Sequence, residues 1–143
     1  YHLTTKEFAQ QLKNILTPNG IILTNIIDNF KTGSFLPSYL KTLRAVFGDQ
    51  NVHLLSVSHD FENIGISTFI VLASNGSFNI NDFDTFVKNE LQSEATAAIV
   101  PESMISDFIN RRKAILLTDD YAPVDNLIAQ VFEERFGYSR KNH

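Results

Sequence analysis

The sequence predicts an α/β fold: half of an open sheet with flanking helices, ending in an antiparallel hairpin. Three observations predict it. A short, mostly apolar run, Ile21-Ile22-Leu23-Thr24-Asn25-Ile26-Ile27, lies between two stretches of helical periodicity. Two further apolar runs, 52–57 and 66–73, are joined by a polar link too short for a parallel crossover, so they should pair as antiparallel neighbours. The order helix, strand, helix, strand, strand, helices lacks the alternation that would complete an open α/β sheet.

The first helix is expected to start at Thr4, which has capping-box spacing to Glu7. Phe8, Leu12, Ile15 and Leu16 then recur on one face, and Pro18-Asn19-Gly20 ends the helix. The run 21–27 suits a strand buried on both faces, as in a parallel sheet between helix layers. A second helix is expected over 37–47, with Leu36, Leu40, Leu43 and Phe47 on one side and Gly48 as a left-handed cap. After the hairpin, a helix over 81–94 would turn Phe83, Phe86, Val87 and Leu91 inward. Another is expected over 101–112, with Pro101 in its first position. Residues 114–117 read as a short extended piece. Pro123 opens the last helix, whose apolar stripe is Leu127, Ile128, Val131 and Phe132.

Composition narrows the function classes. The chain has 143 residues, enough for one domain, and 43% are hydrophobic against 20% charged, ordinary for a globular protein. No apolar run reaches the ~18 residues of a membrane span. A net charge of -4 argues against a broad nucleic-acid surface. With no cysteine, disulfides, thiolate metal sites and a Cys nucleophile are excluded, which fits a reducing compartment. The six glycines never fall within a G-x-G window, so there is no phosphate-binding turn. If the sheet binds a nucleotide, its phosphate- or ribose-binding half lies outside this sequence, and 1–143 reads as a single partial domain.

Asp28 and Asn29 follow the first strand, at the carboxyl edge where open α/β sheets bind ligands; plain loop polarity is the simpler and preferred explanation. His53, His59 and Asp60 lack compact ligand spacing and an evident third ligand, so no metal site is read there. Ser34, Ser38 and Ser103 have no nucleophile-elbow context. The basic tail Arg135, Arg140, Lys141 and His143 needs no more than a helix dipole to explain it.

Two segments carry a family resemblance. One is His2-Leu3-Thr4-Thr5-Lys6-Glu7-Phe8, followed by Leu16-Thr17-Pro18-Asn19-Gly20 and the strand ending Asn25-Ile26-Ile27-Asp28. The sharper one is Leu116-Leu117-Thr118-Asp119-Asp120-Tyr121-Ala122-Pro123-Val124-Asp125-Asn126-Leu127. Together they resemble the C-terminal half of the spermidine-synthase-like (polyamine aminopropyltransferase-like) proteins, including a bacterial branch fused to a membrane segment. The resemblance implies the C-terminal half of a Rossmann-like, S-adenosylmethionine-methyltransferase-type sheet, with 21–27 as its fifth strand and the other two runs as the terminal hairpin. It implies aminopropyl transfer from decarboxylated S-adenosylmethionine to a diamine or polyamine such as putrescine.

The family's nucleoside-binding and catalytic carboxylates would fall upstream of Tyr1. No catalytic residue and no cofactor are therefore expected within this chain, and decarboxylated S-adenosylmethionine is the donor of the complete enzyme. The expected partners are a small diamine or polyamine, the missing N-terminal half or a second chain, and a second copy of the chain, without nucleic acid. A cytoplasmic location is implied, with or without an upstream membrane tether.

Asp120-Tyr121, with Asp119 before it, is the nearest match to the Tyr-Tyr segment that lines the family's diamine pocket, although the first Tyr is absent. Adjacent carboxylates would attract a diamine and Tyr121 would pack on its alkyl chain. Asp before a helix is also an ordinary cap or turn residue. Adjacent residues in extended chain point opposite ways, so one of the two aspartates would face a pocket. Two other classes stay open: a non-catalytic interaction or dimerisation module, and a small-molecule methyltransferase.

Overall fold

A computed structural model describes residues 2–61, 63–82, 85, 89 and 98–137. Helix α1 spans Lys6–Ile15 and is capped by Thr5 rather than Thr4: the Phe8 N–H donates to Thr5 Oγ1 at 3.3 Å. Thr4 closes a 3-10 turn, His2–Thr4, which moves the cap one residue on. Glu7 does not complete a capping box; its carboxylate accepts from the Asp119 N–H at 3.0 Å.

Strand β1 spans Ile21–Asn29 and α2 spans Phe35–Phe47. Gly48 ends α2 with φ +88° and donates to the Arg44 carbonyl, but its ψ of 151° is extended rather than left-handed helical. A 3-10 turn leads into β2, Val52–Ser56, and then β3, Ile66–Ser74, which pair as the expected antiparallel hairpin. β4, Ala98–Ile99, adds to β2; two residues are too few for any sequence pattern to reveal. The expected helix over 81–94, with Phe83, Phe86, Val87 and Leu91, falls largely outside the described residues, as do Arg140, Lys141 and His143. Helix α3 spans Glu102–Arg111 with Pro101 as its N-cap instead of its first residue, and α4 spans Val124–Phe136.

The sheet order is β1-β3-β2-β4, with every pairing antiparallel. β1 and β2 therefore run in the same direction with β3 inserted between them. This corrects the expectation for β1. It is not buried on both faces: Ile21, Leu23 and Ile27 are 43%, 60% and 48% exposed. The reason is uneven packing: among the described residues their face of the sheet buries Leu55, Leu72 and Ile80 together but leaves the β1 side chains open. Among the described strands only β3 pairs with β1, and the core helices cover the opposite face, where Ile26, Phe69, Val71, Val52 and Leu54 are buried. Phe30, Phe69 and Phe108 form the aromatic centre of that core, with the Phe30 and Phe108 rings 4.5 Å apart. The buried Arg44 guanidinium fixes α2 to α3, donating to Glu102 at 2.7 Å and Ser106 at 3.3 Å.

Residues 114–117 bury Ala114 and Leu117 but form no strand. Their backbone is instead held by side chains of α2. The Ile115 N–H donates to Ser38 Oγ at 3.2 Å, the Leu117 N–H donates to Thr42 Oγ1 at 2.9 Å, and Lys41 Nζ donates to the Ala114 carbonyl at 2.8 Å. The Lys6 N–H completes the attachment by donating to the Leu117 carbonyl at 2.8 Å. Thr42→Val keeps the shape of a fully buried side chain but orphans the Leu117 N–H. It should lower the unfolding free energy by about 1–3 kcal/mol in urea titrations, whereas Thr42→Ser, which keeps the hydroxyl, should cost less than about 1 kcal/mol. A harmless Thr42→Val would contradict this attachment.

Candidate functional site

The carboxyl ends of β1 and β2 and the start of β3 share one edge of the sheet, and the loop there is built on Asp28. Its carboxylate is buried; Oδ1 accepts from the Asn29 N–H at 2.8 Å and Oδ2 from the Leu36 N–H at 2.7 Å, in the first turn of α2. It thus caps α2, a role Ser34 does not fill. Asn29 is committed too: Oδ1 accepts from the Lys31 and Thr32 N–H groups, and Nδ2 donates to Glu134 of α4 at 3.0 Å. Gly33 is required for space, since a Cβ there would overlap the Asp28 carboxylate and sit 2.5 Å from the Asn29 carbonyl oxygen. The Arg112 guanidinium ties the loop to the end of α3 through the Thr32 and Gly33 carbonyls and Ser34 Oγ. Asp28 and Asn29 therefore shape the carboxyl edge instead of opening onto it.

Asp119 and Asp120 lie in a tight turn, not in extended chain. Thr118 and Tyr121 exchange both backbone hydrogen bonds, at 3.1 and 3.0 Å. Asp119 is anchored to the start of α1: the Thr5 hydroxyl donates to Oδ1 at 2.6 Å, and the His2 imidazole lies 3.9 Å away. Asp120 and Tyr121 project from the turn; Tyr121 is 61% exposed, and no hydrogen bond or ion pair joins the Asp120 side chain to another described residue. No hydrogen bond connects this turn to Asp28 or Asn29. Glu134, which holds Asn29, is ten residues along α4 from Val124, roughly 15 Å of helix.

Sequence reading missed two cavities assembled from distant elements. One, of about 310 Å³, opens at the carboxyl edge between β1, the β2–β3 loop and α3, lined by Phe30, Lys31, Phe61, Asn63, Met104, Asp107 and Arg111. Its only early signal was its position just past β1. The other, of about 410 Å³, runs between β1 and α4, lined by Asn25, Ile26, Ile27, Phe35, Ile128, Val131, Phe132, Arg135 and Phe136. Within the expected α4 stripe only Val131 is buried, and Phe132 is 52% exposed and stacked on Phe136. His53 is half-buried on β2, with its ring 6.1 Å from Phe78, and burial lowers its pKa; His59 is exposed in the β2–β3 loop.

An antiparallel strand, β3, is set between two strands that run the same way, with helices packed on the sheet, a mixed α/β architecture. No family model matches the chain, and no curated protein matches it. Among solved structures it is similar to a probable spermidine synthase from Corynebacterium glutamicum, with a TM-score of 0.62 and 20% identity over 85% of this chain. That likeness shows a spermidine-synthase-like fold. The chain spans 43% of the length of that structure. Among the described residues, no helix is long and apolar enough to cross a membrane.

Burial pushes the Asp28 carboxyl above its ordinary value of 3.8; the Leu36 and Asn29 N–H donors and the Arg112 guanidinium pull it back, and Glu134 adds a smaller upward push. Between 3.8 and the raised value the folded state holds the proton more often than the unfolded state. The contribution of Asp28 is thus full below 3.8 and lost as pH rises through the folded pKa. Asp28→Asn cannot titrate and leaves one backbone donor facing an amide, at a cost of about 1–3 kcal/mol. In urea unfolding the advantage of wild type over Asp28→Asn should shrink from about pH 4 to about pH 7. An advantage that grows with pH would contradict the assignment.

Proposed function

We propose that the chain is the C-terminal, acceptor-side portion of a spermidine-synthase-like aminopropyltransferase. It would work with a donor-binding half supplied by upstream chain, a second polypeptide or a symmetric partner. The observation that carries this reading is the sheet. The order β1-β3-β2 agrees with a terminal hairpin following the fifth strand, and β1 keeps its outer edge unpaired among the described strands while exposing Ile21, Leu23 and Ile27. An apolar edge of this kind invites a neighbouring strand.

In the reaction, the acceptor amine attacks the methylene carbon beside the sulfonium of decarboxylated S-adenosylmethionine. A C–N bond forms, the C–S bond breaks, and methylthioadenosine leaves with the electron pair. The displaced amine proton passes to a carboxylate. The donor site and that carboxylate belong to the other half. The contribution of this chain is to hold and orient the acceptor amine, a diamine or polyamine in the family's reaction. Two elements are placed where an acceptor amine could be held: the carboxyl-edge pocket, at the edge where open α/β sheets take ligands, and the turn from which Asp120 and Tyr121 project.

Methylthioadenosine release tests the reading. With decarboxylated S-adenosylmethionine and an amine acceptor, the chain alone should release none, and the chain joined to its donor half should. In the active enzyme, Asp120→Asn with Tyr121→Phe should raise the acceptor KM about tenfold with little change in kcat, as expected for lost binding contacts. Release by the chain alone would overturn its incompleteness. Methyl transfer without methylthioadenosine from the complete enzyme would overturn aminopropyl transfer.

A further inference from the structure

The carboxyl-edge pocket has a charge pattern that a diamine does not match. Its described lining holds one carboxylate, Asp107, against two cations, Lys31 and Arg111. Asp107 and Arg111 are four residues apart on one face of α3, a spacing at which opposite charges ordinarily pair. They do not pair here. The Arg111 guanidinium is turned toward the Phe30 carbonyl at 3.4 Å and lies 5.9 Å from the centre of the Phe108 ring. Neither the Asp107 carboxylate nor the Lys31 ammonium has a hydrogen bond or ion pair to any described residue. Phe30 and Phe61, with ring centres 6.5 Å apart, supply the apolar part of the lining. A putrescine dication would find one carboxylate for two ammonium groups and would meet two like charges. A molecule bearing both an amine and a carboxylate satisfies both signs at once.

We propose that this pocket binds an amine that also carries a carboxylate, an amino-acid-type ligand. Asp107 holds the ammonium end, Lys31 and Arg111 hold the carboxylate, and the alkyl chain lies against Phe30 and Phe61. That this ligand is the acceptor rests on the aminopropyl-transfer reading; its binding to the pocket does not.

Ornithine and putrescine make the test, because they differ by one carboxylate. Calorimetric titration of the purified chain should show ornithine binding roughly tenfold more tightly than putrescine at low salt, the size expected of two partly exposed ion pairs. Lys31→Met removes an exposed side chain and should cut that preference to roughly threefold, half of its free energy; Arg111→Met should do the same, and the double variant should abolish it. Asp107→Asn should weaken both ligands. Equal or tighter putrescine binding, no saturable ornithine binding, or a preference unchanged in Lys31→Met would each overturn the proposal. Acceptor profiling of the complete enzyme separates it from the reading above. Methylthioadenosine released with putrescine and never with ornithine refutes the acceptor class alone, and ornithine binding without any release refutes aminopropyl transfer alone.

Discussion

The Asp28 carboxylate joins the end of β1 to the start of α2, and much of the carboxyl edge depends on that junction. A buried carboxylate is costly unless it is hydrogen-bonded, and here two backbone N–H groups on either side of the loop supply the bonds. The geometry fixes where α2 begins, forces the chain close enough that Gly33 has no room for a side chain, and brings the Thr32 and Gly33 carbonyls to Arg112. Phe30 and Lys31 sit inside this loop. Their placement toward the pocket is a consequence of how Asp28 and Asn29 are satisfied.

From that junction α2 organises the rest. Its sheet-facing side buries Leu36, Leu40, Leu43 and Phe47, as the helical spacing foretold. Its other sides hold polar groups that no periodicity reveals. Ser38 and Thr42 accept the backbone N–H groups of residues more than seventy positions away, and Arg44 reaches Glu102. The elements that follow from local pattern were therefore legible in the sequence: α1, β1, α2, the β2–β3 hairpin, α3 and α4. The start of α1 was displaced by one residue because Thr4 and Thr5 both offer a hydroxyl, and the choice is made by a turn and by the distant Asp119. Residues 114–117 have the apolar content of a strand, but helix side chains satisfy their backbone, so no strand forms.

The candidate site was legible only in part. Asp28 and Asn29 are the last two residues of β1, not the loop beyond it as the apolar run implied, and their side chains turn to backbone and to Glu134. Asp119 is likewise anchored, which leaves Asp120 and Tyr121 facing solvent from that turn. The carboxyl-edge pocket draws on β1, the β2–β3 loop and α3, segments separated by tens of residues, so no spacing rule in the chain could point to it. Its charges, like the proposed pairing of β1, emerge only when the sheet order is known. The same order explains why a strand with the apolar content of a buried one is half exposed: packing on one face and one edge satisfies only part of what the sequence offers.

The proposed completion of the sheet at β1 is open to a direct measurement. Hydrogen exchange can follow the backbone N–H groups of Ile21–Asn29 that do not bond to β3, in the chain alone and with the donor half present. The account predicts fast exchange of these amides in the chain alone and strong protection once the donor half is bound, with the amides paired to β3 little changed. Unchanged fast exchange along the outer edge of β1 in a complex that releases methylthioadenosine would contradict it, and the two halves would then meet elsewhere.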